Sequence, residues 1–88
     1  MKIHPDFTIQ KVGSAYVAVP VGETSKTFHS MLQLNETAAF LWKRMAKQDC
    51  TEEALVAALL AEYDVDRSTA AADVSNIVAL LAKNGILI

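Results

Sequence analysis

A single cysteine, Cys50, rules out an intramolecular disulfide, and the zinc spacings built on several cysteines, or on cysteine with histidine, are missing with it. Such usage suits a reducing compartment, so a cytoplasmic location is expected. Glycine is scarce as well. Gly13, Gly22 and Gly85 stand alone, and no glycine-rich loop exists to cradle a phosphate. Eight Lys and Arg against ten Asp and Glu give a net charge of -2, without a run of basic residues to neutralise a track of phosphates. Long apolar runs are absent too: Met1-Lys2-Ile3-His4-Pro5-Asp6 opens no signal peptide, and nothing later approaches the length of a membrane span.

What is present is enough for one core. Hydrophobic residues make up 52% of 88 and charged residues 20%, so apolar burial can offset the entropy of ordering, whereas two separate cores would be too small to stand. One domain over residues 1–88 is expected, folding without a metal, cofactor or disulfide. No internal repeat, linker or low-complexity tract interrupts it.

Phe7 to Val12 and Ala15 to Val21 are rich in β-branched and aromatic residues, and Gly13-Ser14 between them fits a two-residue hairpin loop. After the polar turn Gly22-Glu23-Thr24-Ser25-Lys26, the residues Phe28, Ser30, Leu32 and Leu34 share one parity, and Thr27, His29, Met31 and Gln33 the other. This predicts a third strand with one face on the core. Asn35 then caps a helix to about Lys47 with Ala38, Leu41, Trp42 and Met45 on one stripe, where Trp42 is the core anchor. Thr51 caps a second, with Leu55, Val56, Leu59, Leu60 and Tyr63 inward. Asp66 or Ser68 caps a third, with Ala70, Val74, Ile77, Val78 and Leu81 inward, stopped at Gly85, and the tail Ile86-Leu87-Ile88 packs back on the body. Three strands followed by three helices, without βαβ alternation, give an α+β class with antiparallel strands.

Reactive chemistry finds little support. His4, near a terminus expected to be mobile, and His29, on a strand face, have no cysteine or carboxylate at ligand spacing. Cys50 lacks an activating base beside it, so an incidental thiol is the reading. Glu52, Glu53 and Glu62 are explained by a helix start and a solvent face. The chain is therefore not expected to be an enzyme. Two features ask for more. The third strand is placed at a sheet edge, which can accept a peptide strand. The third helix has an apolar arc wider than its core stripe, with Leu80 beside Ile77, Asp73 and Asn76.

Leu34-Asn35-Glu36-Thr37-Ala38-Ala39-Phe40-Leu41-Trp42, then Thr51-Glu52-Glu53-Ala54-Leu55-Val56, Tyr63-Asp64-Val65-Asp66, Asp73-Val74 and Gly85-Ile86-Leu87 resemble the PqqD-like family over nearly the whole chain. That family includes the peptide chaperone of pyrroloquinoline quinone biosynthesis and the recognition elements of ribosomally made, post-translationally modified peptides. The resemblance implies a winged helix-turn-helix body with a three-stranded antiparallel sheet. It also implies a precursor's leader peptide added as a strand on the third strand, contacts from the third helix, and a peptide-modifying enzyme as partner, often a radical SAM enzyme. The expected peptide-binding residues are Thr27, Phe28, His29, Ser30, Met31, Leu32, Asp73, Val74, Ile77 and Leu80. His29 to Leu32 would act mainly through their backbone, and Ile77 and Leu80 as apolar wall. Lys26, Arg67 and Lys83 could attract an acidic leader. The expected state is a monomer or weak homodimer. Two other readings are a winged-helix DNA-binding regulator and a structural protein-interaction subunit. The first is opposed by a third helix carrying only Arg67 and Lys83 against Asp66 and Asp73.

Overall fold

Strand β1 (Phe7–Val12) turns on Gly13 and Ser14 into β2 (Ala15–Pro20), and the register Val12↔Ala15 leaves those two residues as the loop. Gly13 has φ 63°, the left-handed conformation that a tight hairpin needs and that glycine takes without a Cβ clash. The computed structural model describes residues 1–22 and 32–88. Strand β3 (Leu32–Leu34) pairs antiparallel with β2 through Tyr16↔Leu34 and Ala18↔Leu32, giving the sheet order β1-β2-β3. Within β3 the period of two is visible in burial, with Leu34 in the core, Gln33 exposed and Leu32 between. The earlier part of the expected third strand, with Thr27, Phe28, His29, Ser30 and Met31, and Lys26 of the turn before it lie outside the described residues.

Three helices follow, each opened by a short polar side chain that accepts from an otherwise unpaired amide of the first turn. Asn35 Oδ1 accepts from the Ala38 amide at 2.8 Å to start α1 (Glu36–Lys47). Thr51 Oγ1 accepts from Ala54 at 3.1 Å to start α2 (Glu52–Glu62). Asp66, rather than Ser68, starts α3 (Arg67–Lys83), its Oδ1 accepting from Thr69 at 2.7 Å. The layout is α+β, a three-stranded antiparallel sheet followed by three helices, consistent with a winged helix-turn-helix.

The core joins Leu34 of β3, Leu41, Trp42 and Met45 of α1, Leu55 and Leu59 of α2, and Val74, Ile77 and Leu81 of α3. Among the described residues no polar or charged side chain is buried. Each fully buried Leu or Val contributes roughly 1.5–3 kcal/mol relative to exposure, so this cluster carries the fold. Leu60, Tyr63 and Val78, expected inside, are only half-buried, while the small Ala58 is in the interior.

The N-terminal segment is not loose. Ile3 is buried, its amide donates to the Met45 carbonyl at 3.2 Å, and it forms an antiparallel bridge with Leu87. His4 donates from its amide to Ile86 at 2.7 Å and accepts on Nδ1 from the Asp6 amide at 3.0 Å. The Ile86 side chain is wholly buried, so the two ends of the described chain close the core together. Cys50 is buried, with Sγ 3.4 Å from the Gln48 carbonyl oxygen.

Candidate functional site

β2 covers one margin of β3, and no described strand pairs with the other. A strand margin of this kind presents unpaired amides and carbonyls at about 4.8 Å from where another backbone can lie. The chain leaves β3 through a single residue, Asn35, directly into α1, so the beginning of α1 stands beside the end of β3. α3 packs across from both. The three elements enclose a cleft of about 250 Å³.

The strand contributes Gln33 and Leu34 with the junction residue Asn35, the first helix Thr37, Ala38 and Leu41, and the third helix Asp73, Asn76, Ile77 and Leu80. Its floor is apolar. Leu34, Leu41 and Ile77 are core residues whose edges reach the cleft, and Leu80 is 37% exposed at its rim. Spacing on α3 explains the grouping: Asp73, Asn76, Ile77 and Leu80 follow i, i+3, i+4 and i+7, one face of a 3.6-residue helix. Gln33, Asn35, Asn76 and Thr37 give the lining its uncharged polar residues, and among the described lining residues Asp73 alone is charged. The Asn35 oxygen is committed to the α1 cap, which leaves its NH2 as the group available to a ligand.

Of the residues expected to meet a peptide, Asp73, Ile77 and Leu80 come together in this cleft. Leu32 lies on β3, half-buried against the core. Val74 is 1% exposed in the interior and does not line the cleft, because it sits on the neighbouring stripe of α3 that packs inward. Thr27, Phe28, His29, Ser30 and Met31 lie outside the described residues. The contribution of α1 escaped the sequence reading. Its signal was in view, since Leu34, Asn35 and Thr37 belong to the most specific family block, here set on a cleft wall. Arg67 and Lys83 are exposed on α3 but do not line the cleft.

Among the described residues no three His, Cys, Asp or Glu side chains gather as a metal site, and no helix is long and apolar enough to cross a membrane. The arrangement is suited to holding an extended chain: a backbone ladder on one side and an apolar slot with hydrogen-bonding rims on the other.

Residues 16–87 match the family described as Coenzyme PQQ synthesis protein D (PqqD). The chain belongs to the PqqD family. Two solved structures share its architecture across nearly the full length of both chains. TbiB1 in complex with the TbiA(beta) leader peptide is 24% identical, with a TM-score of 0.74, covering 99% of this chain and 94% of that one. Lasso peptide synthetase B1 complexed with the leader peptide is 25% identical, with a TM-score of 0.71, covering 97% and 93%. No curated protein matches the sequence. This fold therefore recurs in proteins solved with a leader peptide bound.

Proposed function

We propose that this protein is a non-catalytic recognition domain. It binds the leader segment of a ribosomally synthesised precursor peptide along the free margin of β3, seats leader side chains in the cleft between β3, α1 and α3, and presents the peptide to a modifying enzyme of the radical SAM class. The observation that carries the reading is a β3 margin that no described strand pairs, lying beside an apolar-floored cleft. Support comes from family membership and from the lasso peptide synthetase B1 structure, which holds a leader peptide.

Energetics require both parts of the site. Each backbone hydrogen bond to β3 contributes roughly 1 kcal/mol net, so even about four or five of them fall short of tight binding. Low-micromolar binding needs about 8 kcal/mol beyond ordering costs. Two or three buried aliphatic or aromatic leader side chains, at roughly 1.5–3 kcal/mol each, supply the difference. Backbone pairing sets the direction of the peptide, and the cleft sets its sequence preference.

Asp73 shapes that preference. Among the described lining residues the one charge is this carboxylate, which favours a leader that offers an apolar anchor beside a basic or hydrogen-bond-donating residue. The test is an amide-resolved NMR titration of the full chain with the leader of a precursor encoded beside its gene. Shifts at Leu32 to Leu34 together with Thr37, Asp73, Ile77 and Leu80 are the expected result. Unmoved resonances at both β3 and α3 would reject the reading.

A further inference from the structure

A second concave surface lies on another side of α1. It is a depression of about 450 Å³ lined by Phe40, Lys43, Arg44, Lys47 and Gln48. With 3.6 residues per turn, these positions sit roughly a third of a turn around the helix from Thr37, Ala38 and Leu41, which face the first cleft. The two surfaces share a helix and no lining residue.

Its chemistry is opposite to that of the first cleft. Lys43 Nζ lies 5.4 Å from the centre of the Tyr16 ring, and Lys11 Nζ from the neighbouring strand β1 lies 5.9 Å from the same ring. Lys11, Lys43, Arg44 and Lys47 thus place four of the chain's eight basic residues on one face of an otherwise acidic protein. None of the four is ion-paired to a described carboxylate. The cation-attracting end of the α1 dipole accounts for Arg44 and Lys47, in the last turn, but not for Lys43 or for Lys11 on a different element.

We infer that this face is a docking surface for an acidic segment of a protein partner, one that carries two or three carboxylates around an apolar residue. The carboxylates meet Lys43, Arg44 and Lys47, and the apolar residue lies along the alkyl stems of these side chains. Charge complementarity selects the occupant. A nucleic acid fits less well because the aromatic faces are occupied. Arg44 lies over the Phe40 ring at 5.5 Å, Tyr63 packs edge-on against that ring at 5.5 Å, and Tyr16 is claimed by two lysines. Glu36 and Glu62, both close enough to raise the Tyr63 hydroxyl after burial has done so, limit the basic region to a short stretch. The surface goes beyond leader binding. Under that reading its occupant is the modifying enzyme, held while the leader fills the other side of α1.

The experiment is an amide-resolved titration of the full chain with two probes, a synthetic glutamate-rich peptide bearing one central leucine, and oligothymidylate. The expected result is a salt-sensitive set of shifts at Phe40, Lys43, Arg44 and Lys47 with the acidic peptide. These persist when leader fills the β3 cleft, and affinity falls about tenfold in Lys43→Glu/Lys47→Glu. Because both residues are exposed, the variant should remain folded, and Arg44→Gln gives a milder second check. No shifts on this face, shifts displaced by leader, or stronger binding of oligothymidylate would each overturn the inference. Leader binding is read at Leu34, Ile77 and Leu80 in the same spectra, so failure of the leader reading is seen separately.

Discussion

Leu34 of β3 and Ile77 of α3 line the same cleft from different elements while remaining 3% and 6% exposed. The cleft floor is therefore the outer skin of the hydrophobic core, and its shape is set by the same packing that stabilises the fold. Changing either residue would confound binding with stability, so informative tests lie at the rim.

Leu80 is the rim residue to test. At 37% exposure it lies outside the fully buried core, and Leu80→Ala should cost folding stability about 1 kcal/mol. If a leader side chain covers it, truncation removes apolar contact worth roughly 0.5–1 kcal/mol, about a two- to fivefold weakening. Calorimetric titration with leader, paired with a urea melt, separates the two effects. Unchanged affinity would remove Leu80 from the site.

Asp73 is the only charge among the described lining residues of the cleft, and it is exposed. Asp73→Lys should therefore reverse preference between leaders that differ by one basic or acidic residue at the facing position. Exposed charge pairs contribute about 0.2–1 kcal/mol, so a change of up to about fivefold in each direction is expected, shrinking as salt is added. Competition between the two leaders in one fluorescence assay reads the ratio directly.

Trp42 tests the scaffold. It is 2% exposed, among the largest side chains in the interior, and it sits one position from Leu41 of the cleft wall. Trp42→Ala should lose about 3–5 kcal/mol through the cavity it leaves, a large share of the stability of so small a domain. The midpoint of urea unfolding measures this, and a loss below about 1 kcal/mol would mean that the core collapses around the gap.

The contrast between what the sequence disclosed and what it hid follows the range of the interactions. Gly13-Ser14, Asn35, Thr51 and Asp66 act within a few residues of themselves, so the hairpin and the first two helix starts are readable from local chemistry, and the third to a choice between Asp66 and Ser68. The stripe of Asp73, Ile77 and Leu80 was readable for the same reason, since a helix brings together positions three and four apart. The pairing of Ile3 with Leu87 joins opposite ends of the chain, and no local pattern announces it. The wall contributed by Thr37, Ala38 and Leu41 depends on the angle at which α1 leaves β3, and Ala38 and Leu41 were read as core alone. The four cations around Phe40 and Tyr16 come from β1 and α1, too far apart in sequence to register as a basic run.

Asp66 links protonation to the cleft, because the helix it caps carries Asp73, Ile77 and Leu80. Its carboxylate accepts from the Thr69 amide, and that hydrogen bond holds its pKa below the ordinary aspartate value. With the folded pKa depressed, the unfolded chain binds the proton more readily. The cap's contribution is therefore complete above the unfolded value, about 3.9, and is lost as pH falls through that value to the folded one. Asp66→Asn keeps an acceptor oxygen at the cap without a titrating group, so its urea midpoint should fall less steeply over this window than that of the parent chain. Asp66→Ala should be less stable at neutral pH and equally shallow. The measurement is the urea midpoint of the three proteins from neutral pH into the acid range, and identical slopes for parent and Asp66→Asn would show that the cap is not the linked group.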